Sequence, residues 1–364
     1  MNLLQIYIAV FLAAFLTSLA FIPLAKKLAW KFNILDKPLG EGHKLHSNAT
    51  PVLGGAAMLV SWTLVIAIGL FIVITRQELF GENFSAIIDG VDKRLSQVIV
   101  ICGCAIGYGI LGFWDDCKPM SAKFKLFLQI ILALISSIWG VRITLFLGNP
   151  SLSIIATFCW LMFILNAFNF FDNMDGLATG VAAIAACMFM IVAGLNGQFL
   201  VASLAAATTG VTIGFYLYNC NPASIFMGDS GSHFLGYLLG IMSTLVTYYS
   251  PETGSNPIYP FLIPVLILAV VIFDLFAVVV IRLRIKQPIY IGDHNHISHR
   301  FVKMGYSRRC AVFLVHLLCL ILGLCAIAVM FAKTLVASII CVQMIALFLF
   351  LTLLHSRQAK EDSQ

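Results

Sequence analysis

Four clusters of acid, amide and imidazole side chains interrupt an otherwise greasy chain, and their chemistry is that of phosphate and divalent metal. The first is FWDDCKPMSAKFK, in which Asp115 and Asp116 stand side by side with Lys118, Lys123 and Lys125 close behind. Adjacent carboxylates repel, so a divalent cation or the lysines must hold both in the charged form. A carboxylate left without a partner is raised in pKa and can act as a base near neutral pH. Taken alone, the pair could also be solvated charge at a membrane boundary. The second cluster is NAFNFFDNMDG, where Asn166, Asn169 and Asn173 recur at the spacing of one helical stripe, with Asp172 and Asp175 on its flank. A carboxylate at the bilayer centre costs about 2.5–3.5 kcal/mol on insertion scales, so this run requires compensation. It contains no Lys or Arg. A metal ion or a ligand's donors would supply the partner, and oxygen ligands of this kind suit Mg²⁺ or Mn²⁺ rather than zinc. Polar contact between helices is the alternative.

The third cluster is YNCNPASIFMGDSGS, with Asn219 near its start and Asp229 among Gly228, Ser230 and Gly231. Small residues there let backbone N–H groups approach an anion. Asp229 or Ser230 could equally cap the helix that follows, which would not exclude metal binding. The fourth, GDHNHISHRF, brings Asp293, His294, His296, His299 and Arg300 together. The spacing lacks the companions of a closed zinc site and Arg300 would repel a cation, so imidazole and guanidinium are read as a phosphate or nucleotide grip. An earlier stretch adds Asp36, Lys37, His43, Lys44 and His46 as a basic lip before Gly54 and Gly55, a pair that suggests a close helix approach. His233 and His316 read as hydrogen-bonded packing residues, and Asp274 as half of a structural pair with a neighbouring helix.

The elements that must position these groups are membrane helices. The 364 residues are 61% hydrophobic and 10% charged, with a mean hydropathy of +0.99, so lipid and not water surrounds the fold. Apolar windows place eleven spans near 3–24, 53–75, 97–114, 126–140, 152–168, 178–194, 199–218, 232–249, 259–281, 310–331 and 335–354. The predicted fold is an all-α, polytopic helical bundle, one integral membrane domain over 1–364. Segments 25–52, 115–125, 282–309 and 355–364 hold 17 of the 22 Lys and Arg. The positive-inside rule then sets the N-terminus outside, the C-terminus in the cytoplasm and all four clusters on the cytoplasmic face. The first span has no basic n-region and is followed by Lys26, Lys27 and Lys31, as in a retained helix. The ten cysteines lie mostly in or beside spans and read as buried apolar residues. A net charge of +6 favours anionic headgroups and polyphosphate substrates, and the basic residues form no long run suited to nucleic acid.

Asp115–Asp116, NAFNFFDNMDG, FMGDSGS and HNHISHR, in that order, resemble the motifs of the polyprenyl-phosphate N-acetylhexosamine-1-phosphate transferase family, glycosyltransferase family 4. The subgroup that starts O-antigen, enterobacterial common antigen or teichoic acid chains looks nearer than the peptidoglycan translocase, because His296 and His299 fall on an H-x-H-H pattern. Ser298 replaces its middle histidine, and Pro119 stands where some members carry a third acid. The resemblance implies transfer of a sugar 1-phosphate from a UDP-sugar to undecaprenyl phosphate, with release of UMP, in the bacterial inner membrane. It implies Asp229 as the Mg²⁺ ligand, with Mn²⁺ as the substitute ion. Asp115, Asp116, Asp172 and Asp175 become the catalytic acids, with Asp115 or Asp116 steering or deprotonating the lipid phosphate. Asn166, Asn169 and Asn219 are expected at the substrate beside Asp172 and Asp175, Lys123 and Lys125 would draw phosphates inward, and His296, His299 and Arg300 would close over the diphosphate. A homodimer is open. Two rivals stand beside this expectation. A CDP-alcohol phosphotransferase would need a D-G-x-x-A-R signature that is absent after Asp175 and Gly176. An ion-coupled transporter would be built from paired halves with acids at the midplane.

Overall fold

The computed structural model describes residues 2–37, 49–75, 84–143, 149–246, 259–286 and 295–361. His43, Lys44, His46, Asp293 and His294 lie outside these residues. Long apolar helices dominate: α1 (Leu3–Lys31), α2 (Gly54–Thr75), α3 (Phe84–Cys117), α4 (Ala122–Ile135), α5 (Pro150–Phe171), α6 (Leu177–Leu195), α7 (Phe199–Asn219) and α8 (Gly228–Val246). They are followed by α9 (Tyr259–Ile267), α10 (Ala269–Arg284), the short α11 (Ile297–Lys303), α12 (Arg308–Met330) and α13 (Thr334–Glu361). A π-helical turn, Ser136–Gly140, extends α4. The strands β1 (Leu35–Asp36) and β2 (Thr50–Pro51) form an antiparallel clip.

Among the described residues nine helices are long and apolar enough to cross a membrane, and α9 with α10 form a bent pair at 71°. The expected ninth span is therefore broken: Pro264 lies inside α9, and the axis turns at Leu268 one helical turn later. The expected third span starts later than the helix does, since α3 already runs from Phe84. The eighth differs in kind. Every residue of α8 from Ser230 to Val246 is buried, because α2, α3, α5, α6, α7 and α9 pack around it. A helix sheathed by others needs no apolar face toward lipid, so it tolerates Ser230, Ser232, His233, Ser243 and Thr244. The outer helices invert the pattern of a water-soluble protein: Leu12 and Leu16 of α1, Ile68 and Phe71 of α2, and Val342 and Leu349 of α13 are exposed large apolar side chains. The chain is a multi-pass membrane protein.

Candidate active site

The C-terminal ends of α3, α5 and α7 and the N-terminal ends of α4, α6 and α8 meet at one end of the bundle, and Asp229 in the first turn of α8 is the residue on which α3, α4 and α5 converge. Lys125 on α4 donates its Nζ to Asp115 Oδ2 at 2.8 Å and, in a short contact, to Asp229 Oδ2. Asn169 on α5 donates its Nδ2 to Asp229 Oδ1 at 3.1 Å and to Ser232 Oγ at 2.8 Å. One carboxylate thus holds an ammonium on one oxygen and an amide on the other.

Asp115 and Asp116, adjacent in sequence, point to different tasks. Asp115 accepts the Met120 amide at 2.7 Å as well as Lys125, closing the α3–α4 turn and orienting the lysine. Asp116 accepts the backbone N–H groups of Asp229 at 2.7 Å and Ser230 at 3.0 Å. It is the cap of α8, supplied from another helix, and neither Asp229 nor Ser230 caps that helix as their own sequence suggested. The approach is close enough that a Cβ on Gly112 would lie 2.2 Å from the Asp229 carbonyl oxygen. Gly228, at φ +66°, turns the chain into the helix.

A strap the sequence did not announce holds the segment before Asp229. Phe226 donates its N–H to the Pro51 carbonyl at 2.8 Å, while Gly54 and Gly55 donate to the carbonyls of Phe226 and Met227 at 3.1 and 2.9 Å. The Gly54–Gly55 pair was the signal, and its expected close approach is to this strap and α8. His233 is a packing residue as expected. Its Nδ1 meets the Asp229 carbonyl at 2.7 Å and its Nε2 meets Gln129 Nε2 at 2.9 Å; since the Gln129 amide nitrogen can only donate, Nδ1 carries the proton. His316 likewise hydrogen-bonds the Leu177 carbonyl at 3.1 Å.

The expected asparagine stripe is interrupted, because α5 ends at Phe171 with Asp172 as its C-cap and Asn173 beyond it. Asn166 donates to Met162 O of its own helix at 2.8 Å, so only Asn169 of the three reaches Asp229. Asp175 accepts the Asn221 side chain and the Ala223 amide, both at 3.0 Å, and ties α6 to the turn after α7. Asn219 is buried and holds the neighbouring turns: its Oδ1 accepts Gly176 N and Thr179 Oγ1, and its Nδ2 donates to the Ile225 carbonyl. Lys123 is exposed on the first turn of α4.

Asp172 is the acid whose charge is least compensated. Its carboxylate makes no hydrogen bond or ion pair among the described residues, and burial, then the negative charges of Asp229, Asp116 and Asp175, push it up to about 7. The donor set here is oxygen only and carries excess negative charge, which fits a hard divalent cation. Among the described residues no three acids, histidines or cysteines stand together at ligating distance. The site therefore offers one or two carboxylates, the usual protein share for Mg²⁺, whose other ligands are water and substrate phosphate.

The histidine segment reaches the site through α11. Asp274, only 1% exposed, is the expected structural pair: it accepts the Ile297 amide at 2.6 Å, meets His296 Nδ1 at 2.6 Å and lies 3.9 Å from an Arg300 guanidinium nitrogen. Ser298 donates to Asn173 Oδ1 at 2.7 Å, so this departure from the histidine pattern becomes a link to the second cluster. His299 is buried in α11 and Arg300 donates to the Asn295 carbonyl at 2.7 Å.

The model of glycosyl transferase family 4 matches residues 98–247, the span from α3 through α8. A probable undecaprenyl-phosphate N-acetylglucosaminyl 1-phosphate transferase of Bacillus subtilis (strain 168) is 31% identical over 331 residues, covering 88% of this chain and 84% of the relative. A decaprenyl-phosphate N-acetylglucosaminephosphotransferase of Mycobacterium tuberculosis (strain ATCC 25618 / H37Rv) is 30% identical, over 75% of this chain and 70% of the relative. A phospho-N-acetylmuramoyl-pentapeptide-transferase of Bacillus cytotoxicus is 33% identical, over 64% of this chain and 73% of the relative. With three of the polar clusters joined around Asp229, the fourth tied to the second through Ser298 and Asn173, and relatives of this kind along most of its length, the chain belongs to glycosyl transferase family 4.

Proposed function

We propose that this protein transfers N-acetylglucosamine 1-phosphate from UDP-N-acetylglucosamine to undecaprenyl phosphate, releasing UMP and beginning a cell-envelope polysaccharide. The observation that carries the proposal is the convergence of Lys125 from α4, Asn169 and Asp172 from the end of α5, and Asp229 from α8 at one end of a membrane bundle. A water-soluble donor and a lipid-anchored acceptor can meet only at such an end. The names of the Bacillus subtilis and Mycobacterium tuberculosis relatives support the acceptor class and the transferred group. We place this end at the cytoplasmic face of a bacterial plasma membrane, because Lys31 closes α1 there and Arg309 reaches Asn221 at 3.3 Å, in basic segments.

In the reaction a phosphate oxygen of the lipid attacks the phosphorus that bears the sugar. A new P–O–P link forms, and the bond to the bridging oxygen breaks, leaving its electron pair on UMP. Such transfer depends on neutralising and aligning anions more than on covalent help. Lys125, held by Asp115 on one side, presents its ammonium where a phosphate oxygen can displace the contact to Asp229. Asp229 and Asp172 would hold Mg²⁺, or Mn²⁺ in its place. The bound cation supplies charge neutralisation on the diphosphate. Asp116 acts as a positioning residue by fixing the backbone of Asp229, and Asp175 and Asn219 do the same for the turns below it. His299 and Arg300 of α11, with the Nε2 edge of His296 at its N-cap, would bring imidazole and guanidinium donors to the diphosphate, and Lys123 adds positive charge at the rim. No general base is required of Asp115 or Asp116, since a phosphate monoester is largely dianionic near neutral pH.

Purified protein with UDP-N-acetylglucosamine, undecaprenyl phosphate and Mg²⁺ should release UMP in step with lipid diphosphate, and chelation should stop it. Absence of UMP across a panel of UDP-sugars would overturn the proposal.

A further inference from the structure

The helices that build the acidic site carry a second polar site at their other ends. Arg94 and Gln97 on α3, Trp139 in the π-helical turn, Arg142 just after it, and Thr244 and Leu245 at the end of α8 line a cavity of about 330 Å³. About 30 Å of helix separates Arg94 from Asp115 on α3, so this cavity belongs to the opposite leaflet. Among the described residues its lining holds two guanidinium groups and no acid. Among the described residues neither arginine pairs with a carboxylate, and Arg142 gives one N–H to the Ile138 carbonyl at 2.7 Å, which leaves most of its donors available.

Two guanidiniums facing one cavity make a receptor for a phosphate oxyanion, because each fork can donate two parallel hydrogen bonds. The rest of the lining selects the source of that phosphate. Trp139 is 64% exposed, and with Ile138 and Leu245 it gives the cavity an apolar side next to lipid. Tryptophan at this depth sits at headgroup level. The volume accommodates a phosphate with its glycerol but not an acyl chain, which would run along the apolar side.

We propose that this cavity binds the phosphodiester headgroup of an anionic phospholipid in the leaflet opposite the acidic site, fastening the ends of α3, α4 and α8 together. The site is independent of the transferase reading.

The test compares the full chain in nanodiscs of phosphatidylcholine with and without phosphatidylglycerol, and counts bound phosphatidylglycerol by native mass spectrometry. Wild-type protein should bind it and unfold at a higher temperature. The double exchange Arg94→Gln/Arg142→Gln should weaken that binding at least tenfold, about 1.4 kcal/mol, and abolish the thermal shift, while UMP release in phosphatidylcholine is unchanged. Retention of the bound lipid and the shift in the double variant would overturn the proposal. So would reproduction of the shift by millimolar inorganic phosphate alone, which would make this a small-anion site. Should the double variant fail to fold, Arg142→Lys keeps the charge and removes the fork. It should bind phosphatidylglycerol severalfold more weakly, and equal affinity would again sink the idea.

Discussion

Asp116 and Asp274 do the same physical job on helices of very different standing. Each accepts backbone N–H groups at the N-terminus of a helix that comes later in the chain, Asp116 for α8 and Asp274 for α11. Helix α8 has 19 residues, lies at the centre of the bundle and carries Asp229. Helix α11 has seven residues, packs on α12 and carries His299 and Arg300. A carboxylate cap neutralises orphan amides and answers the helix dipole in both places. At α8 it adds to a helix already held along its whole length, so its effect is to fix the position of one functional side chain. At α11 the helix is too short to persist by itself, so the cap and the His296 contact fix its start while burial on its neighbours holds the rest. The comparison separates a long acidic centre from a short cationic element that leans on its cap and on α12.

The largest effect expected from breaking this comparison is at the centre. Asp229→Asn should lower turnover at least roughly 100-fold, as loss of a charge-stabilising group does, with the protein still inserted and its thermal midpoint nearly unchanged. Asp116→Asn should abolish turnover to a similar extent, but through position. It should also cost about 1–2 kcal/mol of stability from the lost cap, and a thermal midpoint equal to that of Asp229→Asn would remove the distinction. At the second clamp, Asp274→Asn and His299→Ala should raise KM for the UDP-sugar roughly tenfold, the worth of about 1.4 kcal/mol, with a smaller change in kcat. An effect confined to kcat would place α11 at the reacting phosphorus instead.

The smallest effect concerns pH. Asp172 is pushed up to about 7 from 3.8, so the metal-free folded protein holds this proton more tightly than the unfolded chain does. That contribution to stability is fully present below pH 3.8 and disappears as pH rises through about 7. On the proposed function a divalent cation at Asp172 would displace the same proton, so Mg²⁺ half-saturation should fall as pH rises from 6 to 7, by up to about tenfold per unit for one proton. Asp172→Asn should flatten this dependence, and a wild-type profile independent of pH would place the ion away from Asp172.

Much of this arrangement was legible before any coordinates. Apolar length marked the nine helices that, among the described residues, are long and apolar enough to cross, and the bent α9–α10 pair, since the bilayer demands it of any helix that crosses; the expected eighth span, α8, falls outside that set because it is sheathed by other helices. The paired acids, the amide-rich run and the Gly-flanked Asp229 marked the site, since polar groups beside lipid are retained only where something compensates them. Partner choice was not legible. Asp115 and Asp116 look alike in the chain, yet one orients Lys125 and the other caps α8. Asn166 and Asn169 share a helix face, yet only Asn169 finds Asp229.

Composition and spacing alone therefore determined that this is a bundle of membrane helices with acids, amides and imidazoles gathered at their ends, because both follow from local polarity and chain length. Which acid meets which amide was decided only by tertiary packing. Contacts such as Asp116 with Ser230, Pro51 with Phe226 and Asp274 with Ile297 join residues far apart in the chain, and a hydrogen bond depends on tenths of an ångström that no spacing along one strand of sequence encodes.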